Sequence, residues 1–113
     1  MLRASGHHHR NDYHLRPVTA GTGTTGVPAG NLLVHFADAA LGHDPKRLDS
    51  VRNEVKAVIG EPGMIDAAAV IGGFDGITRI ADATGIPLEP AKAEAAADFF
   101  ADLNLGQFRA EKV

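Results

Sequence analysis

Residues 64–88 keep a helical period over a longer distance than any other part of the chain. The apolar side chains of this stretch recur at three- and four-residue steps, which places them along one side of a helix. They are Met64, Ala67, Ala68, Ile71, Phe74, Ile77 and Ile80 or Ala81. Gly85 favours the left-handed cap conformation and Pro87 cannot continue a helix. The pattern therefore predicts a helix over 64–84, around which the rest of the chain packs.

Three glycines, Gly72, Gly73 and Gly76, interrupt this predicted helix. A glycine in a helix interior lowers the stability of the helix by about 0.5–1 kcal/mol relative to alanine. Glycine also lets another backbone approach closely, because it has no Cβ. We therefore expect residues 64–84 to pack against a second helix of the same chain or of another subunit, and we predict a homo-oligomer through this helix. The alternative is that the glycines divide it into two shorter helices.

Composition limits the classes of protein to which the chain can belong. Its 113 residues are enough for one domain, and 44% of them are hydrophobic, which is typical of a globular protein. The net charge of −3 comes without a basic surplus, so we expect no nucleic-acid partner. No continuous apolar run approaches the ~18–20 residues of a membrane span, and no secretory signal is recognisable. The sequence thus predicts a cytoplasmic protein with no membrane partner.

Residues 1–30 differ from the rest because they are rich in His, Gly and Thr and have almost no repeating apolar pattern. Such a segment cannot bury enough apolar surface to offset its ordering entropy. We predict a flexible arm, with a short extended piece at 13–18 and a GTGTTG linker at 21–26, followed by a helical domain at 31–113. Histidines in the arm could bind zinc, nickel or copper weakly: His7, His8, His9 and His14. Consecutive positions in an unstructured arm fix no ligand geometry, so we assign no metal site.

Three further helices are predicted from capping residues, turns and helix propensity. Their ranges are 28–42, 45–59 and 90–103. The helix predicted at 45–59 has the clearest boundaries. Asp44 suits its N-cap and Pro45 its first helical position, and Gly60 begins a Pro-Gly turn towards the next helix. The apolar side of this helix consists of Leu48, Val51, Val55 and Val58. The sequence therefore predicts an all-α fold, a compact bundle of about four helices with a flexible N-terminal arm.

Few residues are candidates for catalysis. The absence of cysteine excludes disulfides, thiolate nucleophiles, Cys-x-x-Cys redox pairs and cysteine-ligated zinc. His35 could act as a general base near neutral pH, and Asp38 or Glu54 could supply a further acid or base, but nothing in the sequence clusters them. Three acids at four-residue steps share one face of the last predicted helix: Glu94, Asp98 and Asp102. Di-metal carboxylate bundles combine such spacing with histidines that are missing here, so we assign no catalytic residue, cofactor or metal.

The segments FADAALGHDPKRL and AAAVIGGFDGITRIADATGIPLEP, separated by a helix and a turn, resemble the C-terminal half of the alkylhydroperoxidase D-like, or carboxymuconolactone decarboxylase-like, family. The resemblance covers about residues 31–90, and its most telling part runs from Phe74 to Pro87. It implies an all-α fold and assembly into dimers, trimers or hexamers through the alanine- and glycine-rich helices. In the peroxidase branch of the family that it resembles, the expected catalytic residues are a Cys-x-x-Cys pair on an earlier helix and a nearby Glu and His that relay protons.

Neither the cysteine pair nor a matching helix precedes residue 31, so the resemblance transfers the fold and no catalytic residue. Peroxide reduction by this route requires a thiolate. We therefore hypothesise a truncated or divergent family member without thiol peroxidase activity. One alternative is a cysteine-independent enzyme similar to the family's decarboxylases, in which His35, Asp38 or Glu54 would act as acid or base. The other is a metal- or partner-binding module formed by the histidine arm.

Overall fold

The computed structural model describes residues 12–21, 23–87 and 89–108. Within these ranges the chain is helical and contains no strand, which confirms the all-α prediction. The elements are α1 (Arg16–Ala20), α2 (Gly30–Leu41), α3 (Pro45–Thr84), α4 (Pro90–Ala95), α5 (Ala97–Asp102) and a 3-10 helix at Leu105–Phe108. The predicted count of about four helices and their arrangement as a bundle are not confirmed, because there are five α-helices in the described ranges and α3 spans 40 residues.

The described residues belong to two compact units. The first is Gly26–Gly85, which contains α2 and α3. The second consists of the described residues that precede Gly26 and follow Gly85 in the sequence, and it includes α1, α4, α5 and the 3-10 helix. The buried apolar residues all lie in the first unit, so this unit positions the surfaces considered below.

Asp44 caps the N-terminus of α3, as the sequence predicts. Its Oδ1 accepts hydrogen bonds from the backbone N–H groups of Lys46, at 3.0 Å, and Arg47, at 3.1 Å. These are two of the amides at a helix start that have no partner within the helix. Pro45 occupies the first turn, where its missing N–H leaves no hydrogen bond unmade.

Replacing Asp44 with alanine is expected to lower the free energy of unfolding by about 0.5–2 kcal/mol, the usual effect of removing a side-chain cap. Asp44→Asn retains an oxygen that can accept both hydrogen bonds and should stay close to the parent. Urea denaturation followed by circular dichroism measures both variants. Equal losses for alanine and asparagine would contradict the capping role.

Gly60 breaks the helical geometry inside α3, with φ 77° and ψ 170°. Pro62 explains the position of the break, because in a continuous helix its ring would clash with the carbonyl of Val58. Proline is tolerated in the first turn of a new helix, so the second segment of α3 begins immediately after Gly60. The predicted boundary at Gly60 is confirmed, but the predicted turn over Glu61-Pro62-Gly63 is helical.

The two segments of α3, residues 45–59 and 61–84, pack around the same core. Four residues form its buried centre: Phe36, Ala39, Val51 and Val55. Met64, Ala67 and Ile71 from the second segment pack against this cluster. A straight helix would place Val55 and Ile71 about 24 Å apart, given a rise of 1.5 Å per residue. The chain therefore folds back at Gly60, and α2 and both segments share one apolar centre.

Several residues that the sequence predicts in the core are exposed in the structure. Val58, predicted on the buried side of its helix, is 62% exposed. The prediction that one apolar side of 64–84 faces the core is confirmed for the residues named above and wrong for Phe74, Ile77 and Ile80. The core is short, and the second segment of α3 extends beyond the residues that can contact it.

The N-terminal and C-terminal predictions also need correction. Residues 13–18 are not an extended piece, because α1 begins at Arg16 with proline in its first turn. The predicted helix over 90–103 is divided into α4 and α5 at Ala96, which has φ −96° and ψ −1°. Within the predicted arm, the backbone N–H of His14 donates to the carbonyl of buried Thr25 at 2.9 Å. Residues 1–11 and 22 of that arm lie outside the described residues.

Candidate functional site

The second segment of α3 carries a row of exposed apolar side chains, which we call the exposed stripe: Val70, Phe74, Ile77 and Ile80. Each of the four is between 59% and 64% exposed. At 3.6 residues per turn they fall within about 120° of the helix circumference, so they form one surface. This side of the helix differs from the side that Met64, Ala67 and Ile71 turn to the core. The segment is therefore apolar on two sides, and the described residues cover only the side that faces the core.

The glycines of this segment lie beside open space. A Cβ built on Gly72, Gly73 or Gly76 would meet no atom within 4 Å. The predicted close approach of another helix of the same chain is therefore wrong for the described residues. Successive residues are 100° apart around a helix, which places Gly73 within the arc of the exposed stripe and Gly76 about 40° beyond its edge at Ile80. The lack of side chains at these two positions leaves the backbone accessible there.

Three polar side chains along this segment, those of Thr78, Arg79 and Thr84, form hydrogen bonds within the helix. Arg79 Nε donates to Asp75 Oδ2 at 3.2 Å, which forms an ion pair between residues four apart. The hydroxyl of Thr78 donates to the carbonyl of Phe74 at 2.8 Å, and that of Thr84 donates to the carbonyl of Ile80 at 2.6 Å. These hydrogen bonds stay within one helix. The exposed stripe is consequently a surface defined by apolar contact area rather than by charge.

The acid and base candidates do not form an enclosed site in the described part of the chain. His35 and Asp38 lie on the exposed side of α2, and Glu54 lies on the exposed side of α3. A general acid or base works best where a substrate is held within hydrogen-bonding reach and away from bulk water. The structure therefore provides no positioned substrate site at these three residues.

The described residues contain no metal site: no group of three or more His, Asp or Glu side chains is placed to hold an ion. His7, His8 and His9 lie outside the described residues, and His14 is exposed. The three acids predicted on one face of a single helix are all exposed, and the break at Ala96 separates Glu94 on α4 from Asp98 and Asp102 on α5. No cofactor or metal is assigned to either set.

One helix among the described residues, Pro45–Thr84, is long and apolar enough by composition to cross a membrane. The apolar part of this helix that meets the test is not buried, and one such helix alone is weak evidence for a membrane span. This helix is interrupted at Gly60, and its second segment carries Glu61, Asp66 and Asp75 among other charges. Charged side chains are costly within a bilayer, which disfavours a spanning role for the segment.

One ion pair links the two segments of α3 across the break. Lys56 Nζ lies 2.9 Å from Glu61 Oε2, and both side chains are more than half exposed. The hydrogen bond from Lys56, together with its positive charge, lowers the pKa of Glu61. Because this pKa lies below its value in the unfolded chain, the pair favours folding above the ordinary pKa of a glutamate. That contribution disappears as the pH falls through the lowered pKa.

Replacing Lys56 with methionine is expected to raise the pKa of Glu61 towards its ordinary value, because both causes of the shift are removed. Carbon-detected NMR of the glutamate carboxyl groups during a pH titration measures this change. Lys46→Met removes another exposed lysine of α3 and serves as the control, with no expected effect on Glu61. An unchanged Glu61 pKa in the Lys56 variant would show that the pair does not form in solution.

Within the described part of the first unit, the exposed stripe is thus a continuous apolar surface that no other described residue covers. Comparison of the chain with known protein families, with proteins of curated function and with solved structures finds no match to any of them.

Proposed function

We propose that the chain is a self-associating helical scaffold, a divergent member of the alkylhydroperoxidase D-like family without thiol peroxidase activity. The observation that carries the proposal is the exposed stripe beside Gly73 and Gly76. Large apolar surfaces that a chain leaves uncovered are typical of interaction sites. The family assignment rests on the sequence resemblance over about residues 31–90, and the lack of peroxidase activity rests on the absence of cysteine.

A second copy of the chain fits this surface. The four side chains, each about 60% exposed, present on the order of 400 Å² of apolar surface per copy. A standard interface buries about 800 Å² per partner, so neighbouring backbone and small side chains must add contact area. Gly73 and Gly76 allow that, because a partner helix can approach the backbone where no Cβ intervenes.

An antiparallel pair agrees with the distribution of charge. Asp66 is a charged residue on the same side of the helix as the exposed stripe, one turn before Val70. Two antiparallel copies related by a two-fold axis near Gly73 place their Asp66 side chains at opposite ends of the contact, so like charges do not meet. Pairing of this kind would set two second segments of α3 against each other and build the helical bundle that the sequence predicts.

Sedimentation velocity tests the association. The parent chain is expected to have a mass of at least twice 11.8 kDa, and a Phe74→Ser/Ile77→Ser variant is expected to sediment as a monomer with unchanged helical circular dichroism. Val58→Ser is the matched control, because Val58 is also 62% exposed but lies on the first segment of α3. A monomeric parent, or equal effects of the two substitutions on mass, would overturn the proposal.

A hydroperoxide turnover assay with a dithiol reductant tests the catalytic part of the proposal. No turnover above the rate of the reductant alone is expected, because the reaction in this family starts from a thiolate. Clear turnover by the purified chain would refute it. The two experiments are independent, so the scaffold and the loss of peroxidase activity are judged separately.

A further inference from the structure

The two segments of α3 are joined by a single residue with a non-helical backbone, Gly60. Its φ of 77° and ψ of 170° lie in a region that is essentially restricted to glycine. A rotation of about 180° around its N–Cα bond, with ψ unchanged, gives the extended backbone that every residue adopts. Such a rotation turns residues 61–84 away from α2 and from residues 45–59. The folded-back form therefore depends on one torsion angle of one residue.

The second segment is the least firmly held part of the core. None of residues 61–84, all of which the structure describes, is fully buried, and the segment contacts the core through Met64, Ala67 and Ile71. An open cleft of about 310 Å³ between α2 and both segments shows that packing at this contact is incomplete. The fully buried core residues all lie on α2 or the first segment: Phe36, Ala39, Val51 and Val55. Release of the second segment therefore separates fewer close-packed groups than separation of α2 from the first segment.

The residues on either side of the hinge are compatible with an open form. Lys56 Nζ lies 2.9 Å from Glu61 Oε2 across Gly60, but both side chains are more than half exposed, and an exposed ion pair is weak. Pro62 stays in the first turn of the second segment when Gly60 is extended, so no continuous helix through Gly60 is required.

A released second segment needs a new partner. Its core-facing side chains, Met64, Ala67 and Ile71, would add to the apolar surface of the exposed stripe, and water would contact both sides of the helix. A second copy in the same open form offers the matching surface on its own α2 and first segment. Exchange of the second segments between two copies restores each contact of the folded-back form and leaves both hinges extended.

We propose that Gly60 is the hinge of a segment exchange, through which residues 61–84 of one copy pack on α2 and residues 45–59 of another. Short hinges under conformational strain favour such an exchange. In the parent chain, glycine permits the folded-back form, and closure within one chain competes with pairing of two chains, so the monomeric arrangement dominates at low concentration. The exchange uses the core contact and not the exposed stripe, so the inference does not rest on the proposed scaffold function.

Gly60→Ala tests the hinge, because alanine adopts the extended backbone and not the folded-back one. The full chain carrying Phe74→Ser/Ile77→Ser, which removes pairing through the exposed stripe, should sediment at 11.8 kDa with glycine at position 60 and at twice that mass with alanine. Each dimer contains two hinges, so the dissociation constant should fall by about 30-fold or more. A Gly60→Ala chain that keeps its helical circular dichroism and stays monomeric overturns the proposal.

Gly85→Ala in the same background is the matched control. Gly85 also has a positive φ, 67°, but it ends α3 and joins no two core segments. This variant should remain a monomer. A dimer of equal stability in the Gly60 and Gly85 variants would overturn the role of the hinge.

A distance within one chain distinguishes exchange from simple pairing. The chain has no cysteine, so Asp38→Cys/Asp66→Cys places two spin labels, one on α2 and one on the second segment, both at exposed positions. Labelled Gly60→Ala chains are refolded with an excess of unlabelled ones and measured by pulsed electron paramagnetic resonance. Exchange should lengthen the distance relative to the chain with Gly60. A dimer with the unchanged short distance overturns the proposal.

Refolding at high concentration covers the case in which Gly60→Ala loses its helical circular dichroism. The labelled Phe74→Ser/Ile77→Ser chain with Gly60, diluted with unlabelled chain and refolded from urea at millimolar concentration, should then yield a dimer fraction with the lengthened distance. Monomer alone under these conditions overturns the proposal. Because these experiments use chains without the exposed stripe, a monomeric parent would refute the scaffold and leave the test of the hinge intact.

Discussion

Replacing Phe36 with alanine is expected to lower the free energy of unfolding by about 3–5 kcal/mol, the largest effect of any substitution considered for this chain. Phe36 is only 4% exposed and lies in the same cluster as Val51 and Val55. Truncation would remove the one aromatic side chain of this cluster and leave a cavity among the remaining core residues. Since small domains are stable by only about 5–15 kcal/mol, much of the total would be lost.

Thermal and urea unfolding followed by circular dichroism measure this effect, and Phe36→Leu, which keeps most of the volume, should lose much less. Phe74→Ala deletes the same side chain at a position that is 64% exposed, so it is the matched control. At protein concentrations low enough to suppress self-association, the control should change stability by less than about 1 kcal/mol. Similar losses at both positions would contradict the assignment of Phe36 to the core.

Replacing Gly60 with asparagine or alanine is expected to destabilise the fold by about 1–3 kcal/mol, because the backbone there has φ 77° and ψ 170°. This region is essentially restricted to glycine, and it differs from the left-handed helical region that asparagine tolerates. A Cβ at Gly60 would lie an ordinary 3.7 Å from Pro62 Cδ. The destabilisation therefore comes from backbone conformation and not from a clash with a neighbour.

Gly85 supplies the control for this prediction. It caps α3 with φ 67° and ψ 29°, in the left-handed helical region, and a Cβ there would meet no atom within 4 Å. Gly85→Asn should cost less than about 1 kcal/mol, because asparagine populates this region. Urea unfolding of Gly60→Asn and Gly85→Asn compares the two positions directly. An equally small loss at both would show that Gly60 does not hold this conformation in solution.

Helix boundaries were predictable where the sequence contains a residue with a specific backbone role. Asp44 and Pro45 begin α3 and Gly85 ends it, as predicted, because a carboxylate cap, a donor-free first residue and a left-handed glycine each act locally. Pro62 also acts locally, but it is compatible with both a turn and a first helical turn, so the prediction of a turn was wrong. The break at Ala96 had no such residue to reveal it.

Burial was harder to predict, because it depends on contacts between segments. Periodicity identifies an apolar side of 64–84, yet the core reaches only Met64, Ala67 and Ile71, and leaves Phe74 and Ile77 uncovered. The glycines predicted a close contact, but no helix of the same chain provides it among the described residues, and contact with another subunit stays a prediction. A sequence pattern indicates that a surface is apolar and does not say what covers it.

A shallow apolar cleft between α2 and the two segments of α3 could not have been found from the sequence. Its lining comes from all three, and these meet only because the chain reverses at Gly60. The acid and base candidates, by contrast, were identifiable from residue type alone, and the structure leaves His35, Asp38 and Glu54 on exposed surfaces.

The reversal at Gly60 has a further consequence for how quickly the protein reaches its native state. The core of the unit Gly26–Gly85 is assembled from three helical stretches that follow one another directly along the chain. Chains whose contacts join nearby parts of the sequence fold within microseconds to milliseconds, because little loop entropy is lost before the contacts form. We expect this unit to acquire its structure early, as soon as the residues up to Gly85 have left the ribosome.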